Sequence, residues 1–219
     1  MTAGLQIIND SGVVQLDENY FNLEFKNKFQ YAIATGINQY TITTGGYGNE
    51  VVAVGETGVG YVNIARTASN KIVITTFSTA ATTLTFYVFG TPDQTATANA
   101  GMQIFNSAGQ ITFSATQNYM RVVHSYKTLD IANMRYASVN PITLGAGIYA
   151  AVSSSNRRLF MQSVDERLPA LRIDALRVNG STVDASPQWK IVPRGQFSYQ
   201  TLYENGIGGW VTVIDVSGL

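Results

Sequence analysis

The sequence predicts an all-β protein made of two β-sandwich, jelly-roll-like domains in tandem. Three observations support this prediction. Short segments rich in β-branched and aromatic residues recur along the chain, clusters of Gly, Asn, Ser and Thr separate them, and a ten-residue motif at the start returns in the middle. Evenly spaced short strands with turn residues between them are typical of sandwiches and barrels, and no long helical periodicity interrupts them here.

The repeated motif divides the chain into two halves. Ala3-Gly-Leu-Gln-Ile-Ile-Asn-Asp-Ser-Gly12 returns as Ala100-Gly-Met-Gln-Ile-Phe-Asn-Ser-Ala-Gly109. Such an internal duplication predicts two copies of one structural unit. We expect the first sandwich domain at residues 1–90 and the second at 100–219. Residues 91–99 contain a proline and no large apolar side chain, which suits a solvated linker.

Each copy of the motif is expected to open its domain with the same β-hairpin. The turn residues Asn9-Asp-Ser-Gly12 and Asn106-Ser-Ala-Gly109 each lie between two short apolar or alternating runs. One face of each hairpin would join the core of its own domain, and the other face or the strand edge would meet a neighbouring molecule. The expected core-facing anchors are Leu5, Ile7, Met102, Ile104 and Phe113.

The remaining strands follow in order. In the first half they are predicted at residues 29–34, 40–44, 51–54, 61–65, 71–77 and 84–89. In the second half they are predicted at residues 119–125, 135–139, 147–153, 158–161, 171–178, 188–192, 197–203 and 209–216. Residues 72–77 and 84–89 are expected to pair as the best-buried strands, 164–168 to form a helical turn, and Asn179-Gly180 to mark a tight hairpin turn.

Composition limits the classes of function. The 14 Lys and Arg residues balance the 14 Asp and Glu residues, so no overall field favours nucleic acid or an anionic membrane surface. Charged residues make up 13% of the chain, against about 25% in ordinary globular proteins. Such a surface suits burial against neighbours in an assembly, and a surface of uncharged polar side chains is the alternative. No apolar run approaches the roughly 20 residues that span a bilayer.

Side chains that carry chemistry are few. His124 is the only histidine and cysteine is absent, so neither a clustered metal site nor a His-activated nucleophile can be assembled within one chain. A packed or hydrogen-bonded structural role is the favoured interpretation of His124. The Gly-rich segments 45–48 and 55–60 lack the lysine and the following helix of a phosphate-binding loop. Asp165 and Glu166 are adjacent, so on a turn their carboxylates point apart and do not form the two-carboxylate geometry of a glycosidase. We expect no catalytic residue, no metal and no cofactor.

Four aromatic residues are candidate binding residues: Tyr47, Tyr61, Tyr203 and Trp210. They lie near predicted loop tips or strand ends, where a flat amphipathic ring can stack on a sugar or fill a protein pocket. Sandwich cores and sheet faces use the same residue types, so a structural role is the alternative.

The motif also carries a family resemblance. Residues 4–17, Gly-Leu-Gln-Ile-Ile-Asn-Asp-Ser-Gly-Val-Val-Gln-Leu-Asp, and again residues 101–114 resemble the opening of small structural proteins of tailed bacteriophages, found among minor tail and baseplate genes. The resemblance implies a virion component of the phage tail, synthesised in the host cytoplasm. It implies as partners copies of the chain itself, as a trimer or another cyclic oligomer, and other tail or baseplate proteins, with a host surface receptor as a further candidate. It offers no catalytic residues.

These observations lead to one function and one alternative. The expected function is that of a non-enzymatic adaptor of the tail tip or baseplate, without nucleic acid or a membrane span among its contacts. The alternative is a receptor-binding or lectin-like module that recognises a host surface glycan or protein. An enzyme that depolymerises surface polysaccharide would need paired acids in a cleft.

Overall fold

A computed structural model describes residues 6–8, 14–17, 22–58, 60–68, 70–95, 101–127, 141–153, 158–163, 169–191, 199–205 and 210–219. Side chains are described within 22–127, 141–153, 171–188 and 210–219, apart from residue 172 and the gaps just given. Strands and their connections account for all of these residues, and none of them lies in a helix. The prediction of an all-β fold is confirmed.

The strands are bounded as follows: β1 Gln6–Ile8, β2 Val14–Asp17, β3 Glu24–Ile33, β4 Gly36–Thr43, β5 Val51–Val54, β6 Tyr61–Ala68, β7 Lys71–Ser78, β8 Thr82–Gly90, β9 Gln103–Phe105, β10 Ile111–Ser114, β11 Arg121–Lys127, β12 Ile142–Thr143, β13 Tyr149–Ser153, β14 Arg158–Ser163, β15 Pro169–Asn179, β16 Thr182–Ile191, β17 Tyr199–Asn205 and β18 Trp210–Asp215.

Two large antiparallel sheets contain most of these strands. The six-stranded sheet has the order β11-β18-β13-β5-β8-β3. The eight-stranded sheet has the order β12-β16-β15-β6-β7-β4, and β14 adds to it by pairing with β15 and β17. The remaining strands form two separate hairpins, β1-β2 and β9-β10.

The main core lies between the two sheets. Strands alternate their side chains between faces, so every second residue of a strand can point into this core. In β8, Leu84, Phe86 and Val88 belong to the main core, whereas Tyr87 and Phe89 belong to a second cluster. The main core takes buried residues from both large sheets, which gives the sandwich arrangement of two facing layers.

Each half of the chain builds the same arrangement of strands. The first half contributes β3-β8-β5 to one sheet and β4-β7-β6 to the other, and the second half contributes β11-β18-β13 and β12-β16-β15 in the same way. We call β1 to β8 the first repeat and β9 to β18 the second repeat. Strands β14 and β17 are additions to the second repeat.

The two hairpins that open the repeats have the same register. Ile7 faces Leu16 in the first hairpin, and Ile104 faces Phe113 in the second, with the same irregularity one residue further along. Corresponding residues of the hairpins are 97 positions apart, as Ile7 and Ile104 show. The prediction that the motif forms one hairpin twice is confirmed.

The expected division into two domains with separate cores is wrong. Strand β5 pairs with β13 through Val54 and Ala151, and β6 pairs with β15 through Val62 and Leu176, so both sheets continue from one repeat into the other. The main core includes residues from 1–90 and from 100–219. The first repeat supplies only three strands to each sheet, and joining the repeats pairs edges that would otherwise be open.

Consecutive strands often lie in different sheets. Strands β7 and β8 were expected to pair, but β7 belongs to the eight-stranded sheet and β8 to the six-stranded sheet, so they face each other across the core. Both are deeply buried, as expected. The tight turn at Asn179-Gly180 is confirmed, since Asn179 pairs with Thr182 across Gly180 and Ser181, and Gly180 has a φ of +57°.

The six-stranded sheet is covered on its other face as well. Phe89 of β8 and Ile214 of β18 point to this face and are buried in a second cluster, which we call the outer cluster. Leu23 and Met120, from the segments that precede β3 and β11, pack against it.

The hairpin anchors are confirmed only in part. Ile104 is buried, whereas Met102 is 42% exposed, so its expected core position is wrong. Met102 precedes β9, and its backbone carbonyl accepts a hydrogen bond from the N–H of Ala115 while its side chain faces solvent. Phe113 is half-buried and stacks on Tyr119 with ring centroids 4.9 Å apart. The side chains of Leu5 and Ile7, the predicted strand at 135–139 and the helical turn at 164–168 lie outside the described residues.

Candidate functional site

The structure places Tyr47 in a structural role. Its ring is half-buried against the main core, and a Cβ atom at Gly45 would overlap this ring. A Cβ atom at Gly90 would lie 2.7 Å from the Cβ of Tyr47. Both glycines therefore make room for the aromatic side chain, which packs in the loop between β4 and β5.

Tyr61 belongs to a polar cluster at the junction of the repeats. Its hydroxyl donates a hydrogen bond to Oδ2 of Asp184 at 2.7 Å, and the guanidinium carbon of Arg177 lies 4.9 Å from its ring centroid. Arg177 also donates to Oδ2 of Asp184 at 3.2 Å. Burial, followed by the hydrogen bond to Asp184 and the charge of that carboxylate, raises the pKa of Tyr61 to about 12. The phenol is therefore protonated at neutral pH and connects the two repeats.

Trp210 is the one predicted binding residue with a described side chain that is strongly exposed. Its side chain is 52% exposed at the start of β18, opposite Lys127 of β11. Strand β17 contains Tyr203, whose side chain is not among those described. Tyr61 contacts Asp184 and Arg177, whereas Tyr47 packs beside Gly45 and Gly90, so these two rings lie in different surroundings.

Strand β11 carries two exposed apolar side chains near one end of its pairing with β18, and Trp210 lies at the other end. Val122 is 51% exposed and Val123 is 44% exposed, and a register shift lies between Val122 and His124. Within the described residues, β11 is an edge of the six-stranded sheet. We call Val122, Val123, His124, Ser125 and Trp210 the edge surface. His124 is exposed there, so it is not packed in a core, and its ring centroid lies 6.1 Å from that of Tyr126.

The equivalent edge of the first repeat has a different chemistry. Strand β3 forms the opposite edge of the six-stranded sheet, and its register shift lies between Phe25 and Asn27, which are 97 positions before Val122 and His124. The exposed residues of β3 are small or polar, namely Asn27, Lys28, Gln30 and Ala32. A large apolar pair is therefore exposed on one end of the molecule and absent from the described equivalent strand at the other end.

A cavity of about 240 Å³ lies where the repeats meet. Its lining combines apolar residues of β5, β6, β13 and β15 with a few polar side chains. Those polar residues are Glu50, Asn63, Arg66, Ser153 and Asp174. In each sheet a single residue pair joins the two repeats at this point, so space remains open between them.

Glu50 in this cavity is fully occupied by local contacts. Its carboxylate accepts hydrogen bonds from the Thr44 hydroxyl at 2.6 Å, the Tyr47 N–H at 2.9 Å and Arg66 at 3.0 Å. Burial alone would raise the pKa of Glu50, but the hydrogen bonds from Thr44, Arg66 and Tyr47 outweigh it and hold the pKa below its usual value. Glu50 is therefore ionised at neutral pH and is unsuited to act as a general acid.

Sequence reasoning missed Glu50 and Asp174 as residues of one cavity. Asp174 is only 5% exposed although it lies in a strand with buried apolar neighbours. Its backbone carbonyl accepts a hydrogen bond from Nδ2 of Asn63 at 2.6 Å, which ties β15 to β6. A charged residue inside an apolar strand was the available signal, but its neighbours come from the other half of the chain.

Comparison of the chain with protein-family models, curated proteins and solved structures gives no significant match. Among the described residues there is no helix that could cross a membrane. The same residues contain no group of three or more His, Cys, Asp or Glu side chains that could hold a metal ion.

Proposed function

We propose that this protein is a non-enzymatic structural component of a bacteriophage tail tip or baseplate, which assembles with copies of itself and with neighbouring tail proteins. The observation that supports assembly is the edge surface along β11. The position in a phage tail rests on the resemblance of residues 4–17 and 101–114 to the openings of minor tail and baseplate proteins.

The edge surface has the properties of a protein contact. An edge strand presents unpaired backbone N–H and C=O groups, which can pair with a strand of another chain. Val122, Val123 and Trp210 add exposed apolar area beside these groups, and large aromatic residues at such places often dominate binding energy. The fold already uses antiparallel edge pairing where β5 meets β13 and β6 meets β15.

Assembly is tested with a double substitution on the edge surface. We expect native mass spectrometry to show an oligomer for the unchanged chain and a monomer for Val122→Lys/Val123→Lys, because two buried lysines without partners oppose association. The matched control is Asn27→Lys/Gln30→Lys on the equivalent strand β3, which should leave the oligomer unchanged. A stable monomer of the unchanged chain that binds no other tail protein would contradict the proposal.

The position in the virion is tested separately. Immunogold labelling of phage particles with antibodies against this chain should place the label at the end of the tail. Labelling of the capsid alone, or of no intact particle, would remove the phage-tail assignment while leaving the edge surface as a protein contact.

A receptor-binding role is the second candidate, and the exposure of Trp210 favours it. An exposed indole beside a strand edge can stack on a sugar ring or enter a protein pocket. In that case Trp210→Ala should weaken binding to host cells or glycans by about 30-fold, corresponding to a binding hot spot, without changing the thermal stability. Unchanged cell binding would reject this role for Trp210.

A further inference from the structure

The second hairpin of the molecule is seated on the first repeat. The backbone N–H of Asn22 donates to the carbonyl of Thr112 in β10 at 3.2 Å. The side chain of Gln94 binds both backbone groups of Ile111, at 3.0 Å to the carbonyl and 2.7 Å from the N–H. Ile104 of the same hairpin is 5% exposed. Hairpin β9-β10 therefore opens the second repeat in the chain, but besides its contact with Tyr119 it packs on residues just before β3 and just after β8.

The segments before β3 and β11 meet as equivalent partners. The N–H of Phe25 donates to Asn118 O at 2.7 Å, and the N–H of Met120 donates to Leu23 O at 2.8 Å, so the two segments run antiparallel. Leu23 and Met120 are 97 positions apart, the same spacing as in the hairpins, and both pack on the outer cluster. Equivalent segments that meet antiparallel are the pattern of a twofold relation.

The same pattern holds in both large sheets. Strands β5 and β13, which hold equivalent places in the two repeats, pair antiparallel, and so do the equivalent strands β6 and β15. A twofold relation between the repeats that places β9-β10 on the first repeat also places β1-β2 on the second. The chain reaches both positions with the same length, since four residues lie between Asp17 and Asn22 and four lie between Ser114 and Tyr119.

We propose that hairpin β1-β2 is seated on the second repeat of its own chain, against Tyr119 and the C-terminal residues. A groove of about 290 Å³ lies there, lined by Asn118, Tyr119, Arg121, Asp215 and Leu219 among others. Tyr119 is 97 positions after Asn22, which holds the other hairpin. Glu24 pairs with Gly90 in the first repeat, and Arg121 pairs with Asp215 in the second. Gln94 lies four residues after Gly90 and Leu219 lies four residues after Asp215, so Leu219 is the counterpart of Gln94.

The second hairpin predicts which residues of the first make the contact. Ile104 is 5% exposed and Phe105 is 50% exposed. Their counterparts 97 positions earlier are Ile7 and Ile8. By this equivalence, we expect a substitution at Ile7, and not one at Ile8, to disturb the contact between the hairpin and the groove. The occupant is the hairpin of the same chain, because only four residues lie between β2 and Asn22, and Leu23 is hydrogen-bonded to Met120, which lies between the groove residues Tyr119 and Arg121.

Hydrogen exchange on the full chain tests the proposal with a matched pair of variants. Ile7→Asp should raise exchange in peptides covering 117–121 and 215–219 by about tenfold or more, because a charged side chain at the proposed contact would release the hairpin. Ile8→Asp should leave both peptides unchanged. The peptide covering 91–95, where Gln94 binds the other hairpin, serves as the internal control. Equal exchange in the two variants at 117–121 would overturn the proposal.

A cross-link gives a second test that does not depend on the stability of Ile7→Asp. The chain has no cysteine, so Gln15→Cys/Tyr119→Cys introduces a single pair at the predicted contact. The control pair Asn22→Cys/Thr112→Cys lies at the observed contact, where a backbone hydrogen bond holds Cα atoms about 5 to 6 Å apart, within disulfide range. Both pairs should close within monomers under mild oxidation. Closure of the control pair alone, or a disulfide of the test pair that forms only between chains, would overturn the proposal.

Discussion

Replacing Leu176 with alanine should destabilise the whole molecule and not its second half alone. Leu176 is 3% exposed in the main core and pairs with Val62 of the first repeat. It therefore lies at the point where the eight-stranded sheet passes from one repeat to the other. A cavity at this position removes contacts from strands on both sides of the junction.

The expected loss of stability is large compared with that at an exposed position. Leucine-to-alanine substitutions in cores cost about 2 to 5 kcal/mol, and the nearly complete burial of Leu176 places it near 3 kcal/mol. With a urea m-value of about 2 to 3 kcal/mol/M, the midpoint should fall by about 1 to 1.5 M. Ile37→Ala, at a side chain 45% exposed on β4, is the control and should change stability by less than about 0.5 kcal/mol.

Pulsed hydrogen exchange during urea unfolding measures the two repeats separately. Peptides from β7 report on the first repeat and peptides from β16 on the second. Because one core joins the repeats, both sets of peptides should lose protection at the same reduced urea concentration. If β7 keeps the midpoint of the unchanged chain while that of β16 falls, the repeats unfold independently and the shared core is refuted.

Two further predictions concern ionisable groups. Asp184→Asn should lower the pKa of Tyr61 from about 12 towards its usual value of 10.0, because the nearby negative charge is lost. Phenolate absorbance during a pH titration measures this pKa. An unchanged pKa would contradict the Tyr61–Asp184 contact. The lowered pKa of Glu50 contributes stability that is complete above its unfolded value near 4.5 and is lost as pH falls through the lower folded value. Glu50→Gln should therefore reduce the loss of urea stability below pH 4.5, and an equal loss in both proteins would refute this role.

The sequence allowed most strands and both hairpins to be predicted, because these depend on local patterns. The alternation of apolar residues and the turn residues of the repeated motif suffice for β9 and β10, and the run Val51–Val54 forms β5 with the predicted bounds. The partners of the strands were less accessible. A short connection such as 79–81 between β7 and β8 can close a hairpin or cross between two sheets, and local residue types do not distinguish these outcomes.

For the candidate site residues too, local patterns predicted positions along the strands but not the contacts between distant parts of the chain. Exposure of Trp210 at a strand end agrees with its predicted position, but Tyr47 and Tyr61 are held by Gly90 and Asp184, which lie far away in the chain. The edge surface depends on which strand lies at the end of a sheet, and this is decided by pairing across the whole molecule. The duplication was visible in the sequence. The joining of both repeats into shared sheets depends on the pairing of β5 with β13 and of β6 with β15.

The unequal edges of the six-stranded sheet bear on how far self-association can proceed. The apolar edge surface lies at the β11 end, and the β3 end exposes polar side chains and a lysine. In the proposed assembly, two molecules that joined through their β11 ends would bury both apolar surfaces and form a pair that is closed at that edge. The lysine-bearing β3 strands then form the outer borders of that pair and discourage the addition of further sheets, which protects an extended β structure from forming fibres.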